Sequence, residues 1–390
     1  MADGGEGGGI RPFTVRTPQR VLDQLYTRIL NYPWFPPPEG EAGFAYGADT
    51  ALLQELCAYW TNAFDWRAQE AVLNRWPHFL ADIEGLPIHF VHVRGEAEGK
   101  RPLLLTHGWP GSFFEFWDVI EPLAFPSRFG GSSADAFDLV IPSLPGFAFS
   151  GKPKRPMGPR ATARLWRALM ADTLGYGRFM AQGGDWGAVV SSRLALEHPG
   201  CAALHLNFMG LQPADDRPRD AAEKAWLERT QTLLRFEGAY LMQQATKPQT
   251  LAFALMDSPV GAAAWILEKF HGWSDLQGGG LWDLYSREQL LTNLMLYLTT
   301  NSMATGVWFY RGFLEEGGNQ LAHGQRVTVR TGFANFPGEK IYPAPPLSWA
   351  ERCYDIARWT PMAKGGHFAA MEQPKAFVEE LCAFARDVGY

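Results

Sequence analysis

A run of five residues, Gly183-Gly184-Asp185-Trp186-Gly187, carries the first chemical signal. It follows a short apolar segment and opens a helical pattern. A glycine-flanked strand-to-helix turn of this kind displays its central side chain and aims backbone N–H groups at nearby negative charge. The central residue here is an aspartate, where a hydroxyl nucleophile is the usual occupant. Asp185 could instead cap the following helix, a position aspartate favours. Three further segments bear reactive groups. Thr106-His107-Gly108-Trp109-Pro110-Gly111-Ser112 follows a second apolar run and could offer the Trp109 amide, beside the Trp186 amide, as an oxyanion hole. His367, in AKGGHFAAMEQP, lies between the last strand-like segment and the last helical one. Glu339, in NFPGEK, follows the strand-like VTVRTGF, with Glu351 and Asp355 as alternatives. The order Asp185, acid, His367 is that of a nucleophile, acid and base triad.

A carboxylate nucleophile narrows the chemistry. Attack on an acyl carbon would give an anhydride, whereas attack on an sp³ carbon gives an alkyl ester that a histidine-activated water can hydrolyse. Alkyl halides and epoxides both suit such a nucleophile. An epoxide oxygen leaves as a basic alkoxide and needs a donor that is still protonated at neutral pH, which a phenol supplies. Tyr240, Tyr285, Tyr297 and Tyr310 are the candidates in the region predicted to cover the site. Each of these tyrosines could equally serve packing.

The elements that must position these groups can be read from periodicity. Short apolar runs at Phe79–Ile83, Ile88–Val93, Pro102–Thr106, Phe137–Pro142, Phe179–Gln182 and Ala203–Asn207 alternate with helical patterns at Phe113–Leu123, Thr162–Leu174 and Ala188–His198. Alternation of this kind predicts an α/β fold with a mostly parallel, doubly wound sheet flanked by helices. The spacing divides the chain into N-terminal helices and a Pro-rich meander (1–78), a first core part (79–210), an inserted helical lid (211–323) and a second core part (324–390). Residues 1–9 are expected to be disordered. Thr17-Pro18 and Asp49-Thr50 read as starts of helices, and Asn31–Gly40 as an extended arm.

Composition bounds the rest. The 390 residues carry a net charge of -6, which argues against nucleic acid or an anionic membrane surface as partner. The four cysteines, Cys57, Cys201, Cys353 and Cys382, form neither a CxxC pair nor a zinc-ligand spacing, so reduced thiols and no metal site are expected. The Gly-rich start has no apolar core of a signal peptide, and no apolar run reaches membrane-spanning length. A cytoplasmic protein without a membrane anchor is the expectation.

Taken together, HGWPGSFFEF, IPSLPGFAFS, GGDWGA, DSPVG, LLTNLMLYLTT and KGGHFAAMEQP, with the N-terminal IRPF…NYPWFPP, resemble the microsomal-type epoxide hydrolases of the α/β-hydrolase superfamily. The resemblance covers nearly the whole chain. It implies Asp185 as nucleophile, His367 as base, Glu339 in TGFANFPGE as its acid, and the Trp109 amide as oxyanion donor. It also selects Tyr240, in EGAYLMQQATKP, and Tyr310, in VWFYRGFLEE, from the four tyrosines. The implied reaction is epoxide plus water to vicinal diol, on a small apolar substrate and with no cofactor. A haloalkane or haloacid dehalogenase using the same aspartate is the alternative. Mammalian members begin with a membrane anchor that this polar start does not resemble. The family's N-terminal meander can contribute to dimer contacts, so a homodimer is compatible with the resemblance.

Overall fold

The computed structural model describes residues 9–40, 43–99 and 101–390. The expectation of disorder at residues 1–9 therefore falls, but for its last residue, outside the described residues. Nine strands form one sheet: β1 (Arg11–Phe13), β2 (His78–Ile83), β3 (Leu86–Val93), β4 (Pro102–Thr106), β5 (Asp138–Pro142), β6 (Phe179–Gly183), β7 (Cys201–Leu206), β8 (Val327–Asn335) and β9 (Tyr354–Pro361). Their order is β1-β2-β3-β5-β4-β6-β7-β8-β9. The pairings of β1 with β2, β2 with β3 and β3 with β5 are antiparallel, and every other pairing is parallel. Each residue of β4, β5 and β6 is buried, as expected of parallel strands covered by helices on both faces.

The mostly parallel sheet agrees with the periodicity. Two local details differ. Strand β1, three residues with a proline in the middle, carries no periodic signal; it joins the antiparallel edge through β2. The helix after Thr17 has Pro18, not Thr17, at its N-cap, and no side chain caps it. Thr17 is committed elsewhere. Its hydroxyl accepts the Trp66 indole N–H at 2.9 Å and its amide donates to buried Glu70 at 2.6 Å. Asp49 does cap its helix, accepting the Leu52 amide at 2.7 Å.

Between β7 and β8 the chain leaves the sheet and forms a helical layer from Ala221 to Glu315. Its last long helix, Met303–Glu315, packs on Ala239–Thr246 and Pro248–Asp257. The N-terminal segment binds this layer: Arg28 Nη1 donates to the carbonyls of Met256 and Asp257 at 3.0 and 2.9 Å, Thr292 Oγ1 donates to Gln69 Oε1 at 3.1 Å, and Tyr59 bonds Glu288. Among the described residues no single helix is long and apolar enough to cross a membrane. The four cysteines are free thiols, and no group of His, Cys, Asp or Glu among the described residues is arranged to hold a metal ion.

Candidate active site

Strand β6 ends at Gly183, and the helix Asp185–Glu197 starts two residues later with Gly184 as its N-cap. Glycine is required at each flank by crowding. A Cβ on Gly183 would lie 2.1 Å from the Gly187 carbonyl oxygen, and one on Gly187 would lie 1.8 Å from that of Thr106. A Cβ on Gly108 would fall 2.2 Å from Asp185 Oδ1. The turn forces Asp185 to φ 46°, a left-handed conformation uncommon outside glycine and concentrated at functional positions. Asp185 does not cap the helix, since no side chain does so.

Its carboxylate is met from two sides. Oδ1 accepts the Trp109 amide at 2.9 Å. Oδ2 lies 3.4 Å from His367 Nε2. On the other edge of that imidazole, Nδ1 is 2.7 Å from Glu339 Oε2. Glu339 Oε1 in turn accepts the Ile341 and Tyr342 amides, at 2.9 and 3.2 Å, which fixes the carboxylate's orientation. Burial disfavours the imidazolium, but the two carboxylates override it and His367 titrates well above the usual histidine range. The Trp186 amide makes no hydrogen bond to the Asp185 carboxylate among the described residues.

His367 is held by its neighbours. Its amide donates to the Trp273 carbonyl at 3.1 Å. Buried Glu372 accepts the amides of Gly366, Phe368 and Asp275 at 2.8, 2.8 and 2.9 Å. The loop bearing the histidine is thus tied to the end of the helix Pro259–Trp273. Sequence reading did not single out Glu372 or Glu115. Glu115 stands beside Asp185 and His367 around a small cavity of about 10 Å³, enough for one water. Burial, with Asp185 nearby, pushes its carboxyl up to about 8 despite the pull of His367. A charged residue inside the aromatic run FFEF was the available signal.

Tyr240 and Tyr310 come from two packed helices of the helical layer and are buried. Their rings lie 5.8 Å apart, edge to face. The Trp109 ring stacks on Tyr240 at 5.4 Å and meets Tyr310 edge-on at 5.7 Å, while Trp186 meets Tyr310 edge-on at 4.7 Å. The Tyr310 hydroxyl is buried without a well-aligned hydrogen-bond partner among the described residues. Burial above all, with Asp185 adding to it, keeps both phenols protonated far beyond neutral pH. The other two tyrosines are committed to structure: Tyr285 bonds Ser274 Oγ at 2.7 Å and Tyr297 donates to the Gly111 carbonyl at 2.5 Å. Of the alternative acids, Asp355 faces Arg330 at 3.5 Å and Glu351 is exposed.

Asp185, Tyr240 and Tyr310 line one cavity of about 210 Å³, walled mainly by apolar side chains that include Val189, Phe208, Leu234 and Phe313. A ligand here would have a carboxylate on one side, two phenols on the other and hydrocarbon around it.

Known proteins resemble this chain in sequence and in fold. Residues 10–116 match the epoxide hydrolase N terminus family and residues 101–235 the alpha/beta hydrolase fold. A putative epoxide hydrolase of Stigmatella aurantiaca is 41% identical over 96% of this chain and 84% of its own length. Epoxide hydrolase 1 of Sus scrofa is 38% identical over 97% and 89%. The structure of Aspergillus niger epoxide hydrolase superposes with a TM-score of 0.84 at 33% identity, covering 98% of this chain and 97% of that one. Juvenile hormone epoxide hydrolase from Bombyx mori gives 0.87 at 30%, over 98% and 95%. With matched family models spanning residues 10–235, from the N-terminal segment through β7, and relatives aligned over nearly its whole length, the chain belongs to the microsomal-type epoxide hydrolases of the α/β-hydrolase fold.

Proposed function

We propose that the protein converts an epoxide and water to a vicinal diol through an ester on Asp185. The observation that carries this reading is one apolar cavity with a carboxylate, not a hydroxyl, at the elbow and two protonated phenols beside it. Oδ1 is occupied by the Trp109 amide, so Oδ2 is the attacking atom. It bonds to an oxirane carbon, the ring C–O bond breaks, and Tyr240 and Tyr310 hydrogen-bond the leaving oxygen and supply its proton. The ester carries no charge, so His367 loses one of the two carboxylates that raise its pKa and gives up its proton, which passes to the phenolate and restores the tyrosine. The neutral imidazole can then take a proton from water as that water attacks the Asp185 carboxyl carbon. The Trp109 amide is already aimed at the oxygen that becomes the oxyanion, and the Trp186 amide, in the first turn of the helix, is the second donor available to it. Collapse releases the diol and restores the carboxylate; no step calls on a metal or organic cofactor.

Dehalogenation would need no paired phenols, and the relatives above are named epoxide hydrolases. The test is His367→Gln incubated with styrene oxide. Intact mass is expected to rise by one epoxide, with the adduct on the peptide containing Asp185. A diol formed at the parental rate with no adduct would overturn the two-step scheme.

A further inference from the structure

The mechanism above leaves one buried charge unused. Lys269 lies in WILEKFHGW, on the helix Pro259–Trp273, one turn after Trp265 and one turn before Trp273. That spacing puts the lysine and the two indoles on one side of the helix. Lys269 is 6% exposed, and among the described residues it is the only buried lysine. An ammonium is almost never buried unless something compensates the lost water.

Two kinds of neighbour compensate it. Nζ pairs with Glu268, whose side chain is a quarter exposed. Aromatic rings supply the rest. Nζ stands over the Tyr240 ring, 4.8 Å from its centroid, and 5.9 Å from those of Trp265 and Trp273. A cation over a ring face is drawn by the ring's quadrupole, and more strongly where water is excluded. The nearest of the three rings is the phenol that shares the cavity with Asp185.

That contact strengthens as the reaction proceeds. When the oxirane C–O bond breaks, the oxygen takes a proton from a phenol. The electron pair of that O–H bond stays behind and spreads into the ring. A cation over the ring attracts a phenolate more than a phenol, so the contact favours the transition state over the bound substrate. The charges that oppose loss of the Tyr240 proton are Asp185, Glu339 and Glu268. Asp185 loses its charge in the same step, and Glu268, the most open of the three to water, is the most screened. Tyr310 has no cation over its ring among the described residues; it meets Trp109 and Trp186 edge-on instead.

We propose that Lys269 is a positioning residue for ring opening, its ammonium stabilising the Tyr240 phenolate as it forms, so that Tyr240 and not Tyr310 gives up the proton. Tyr310 contributes a hydrogen bond to the same oxygen and keeps its proton, and Lys269 keeps its own throughout. This rests on the epoxide hydrolase reading and adds to it a residue and a division of labour between the phenols.

Rapid-quench single turnover with styrene oxide separates formation of the Asp185 ester from its hydrolysis. Lys269→Met is expected to slow ester formation by about tenfold or more, with hydrolysis changed by less than about threefold. Lys269→Arg, which restores a cation, is expected to recover most of the loss. The decisive comparison places Lys269→Met in two backgrounds. Beside Tyr310→Phe it is expected to cost the same factor again. Beside Tyr240→Phe it is expected to cost nothing further, because the group it acts on is gone. Lys269→Gln repeats the series and guards against a methionine variant that does not fold. Ester formation at the parental rate in Lys269→Met, equal slowing of both steps, or equal further losses in both backgrounds would each refute the role of Lys269 while the epoxide hydrolase reading stands. If the parental enzyme forms no ester on Asp185, the reading itself fails and the role falls with it.

Discussion

Asp185 is both nucleophile candidate and backbone outlier, and the two properties have one origin. A side chain that must leave a strand end and stand clear of the following helix is forced into left-handed φ. The residues around it divide the work by charge. His367 shares its surroundings with two carboxylates, while Tyr240 and Tyr310 sit where burial stabilises the neutral phenol. Tyr240→Phe and Tyr310→Phe are each expected to slow alkylation of Asp185 by at least about tenfold, and together by about 10³. Rapid-quench single turnover with styrene oxide measures this; a double variant that alkylates at the parental rate would remove the tyrosines from the mechanism. Residue types alone pointed to Asp185 and His367. Choosing Tyr240 and Tyr310 over Tyr285 and Tyr297 needed the family resemblance, because all four are buried and sequence does not show which hydroxyls are already bonded. The cavity itself was illegible for a related reason, because the segments that line it lie far apart in the chain.

The elbow is an element-scale device, since two glycines let a strand end and a helix start cross within van der Waals distance. Gly187→Ala is expected to destabilise by about 3 kcal/mol or more, because its Cβ would strike backbone that cannot swing aside. Gly177→Ala, on an exposed turn with nothing within 4 Å of the added Cβ, is expected to be neutral to slightly stabilising. Urea denaturation of the pair distinguishes the cases; comparable losses in both would mean that the elbow is not crowded. Strands of this sheet were readable because burial on both faces leaves unbroken apolar runs such as PLLLT and DLVIP. Helix irregularities were not. Phe113–Ala124 is a 3₁₀ turn followed by an α-helix, and Pro159–Thr173 passes from α to π geometry after Arg167. Such changes of pitch depend on packing and not on pattern.

At the scale of the whole molecule, the interior holds several neutral histidines. Burial lowers His78 and His107 to about 4 and His205 to about 3. The unfolded chain would protonate these rings below pH 6.5 while the fold keeps them neutral, so the unfolded state binds more protons in that window. Stability from this source is therefore complete above pH 6.5 and declines as pH falls towards 4. Neither nitrogen of His205 has a hydrogen-bond partner among the described residues, and its ring lies 5.5 Å from that of Phe384. His205→Leu is expected to flatten the loss of Tm between pH 7 and 5, as read by scanning calorimetry. Parallel Tm–pH curves for variant and parent would exclude His205 as a contributor.

The helical layer is secured at more than its two chain ends. The N-terminal segment grips it through Arg28 while its own β1 lies in the sheet, and the histidine loop is bonded to the end of the helix Pro259–Trp273. A roof fastened at several points does not swing like a door. Admission of substrate then becomes a question of aperture: how far side chains such as Leu234, Leu241 and Phe313 can part without the backbone following. On that view bulky epoxides are excluded at the threshold, before chemistry has any say.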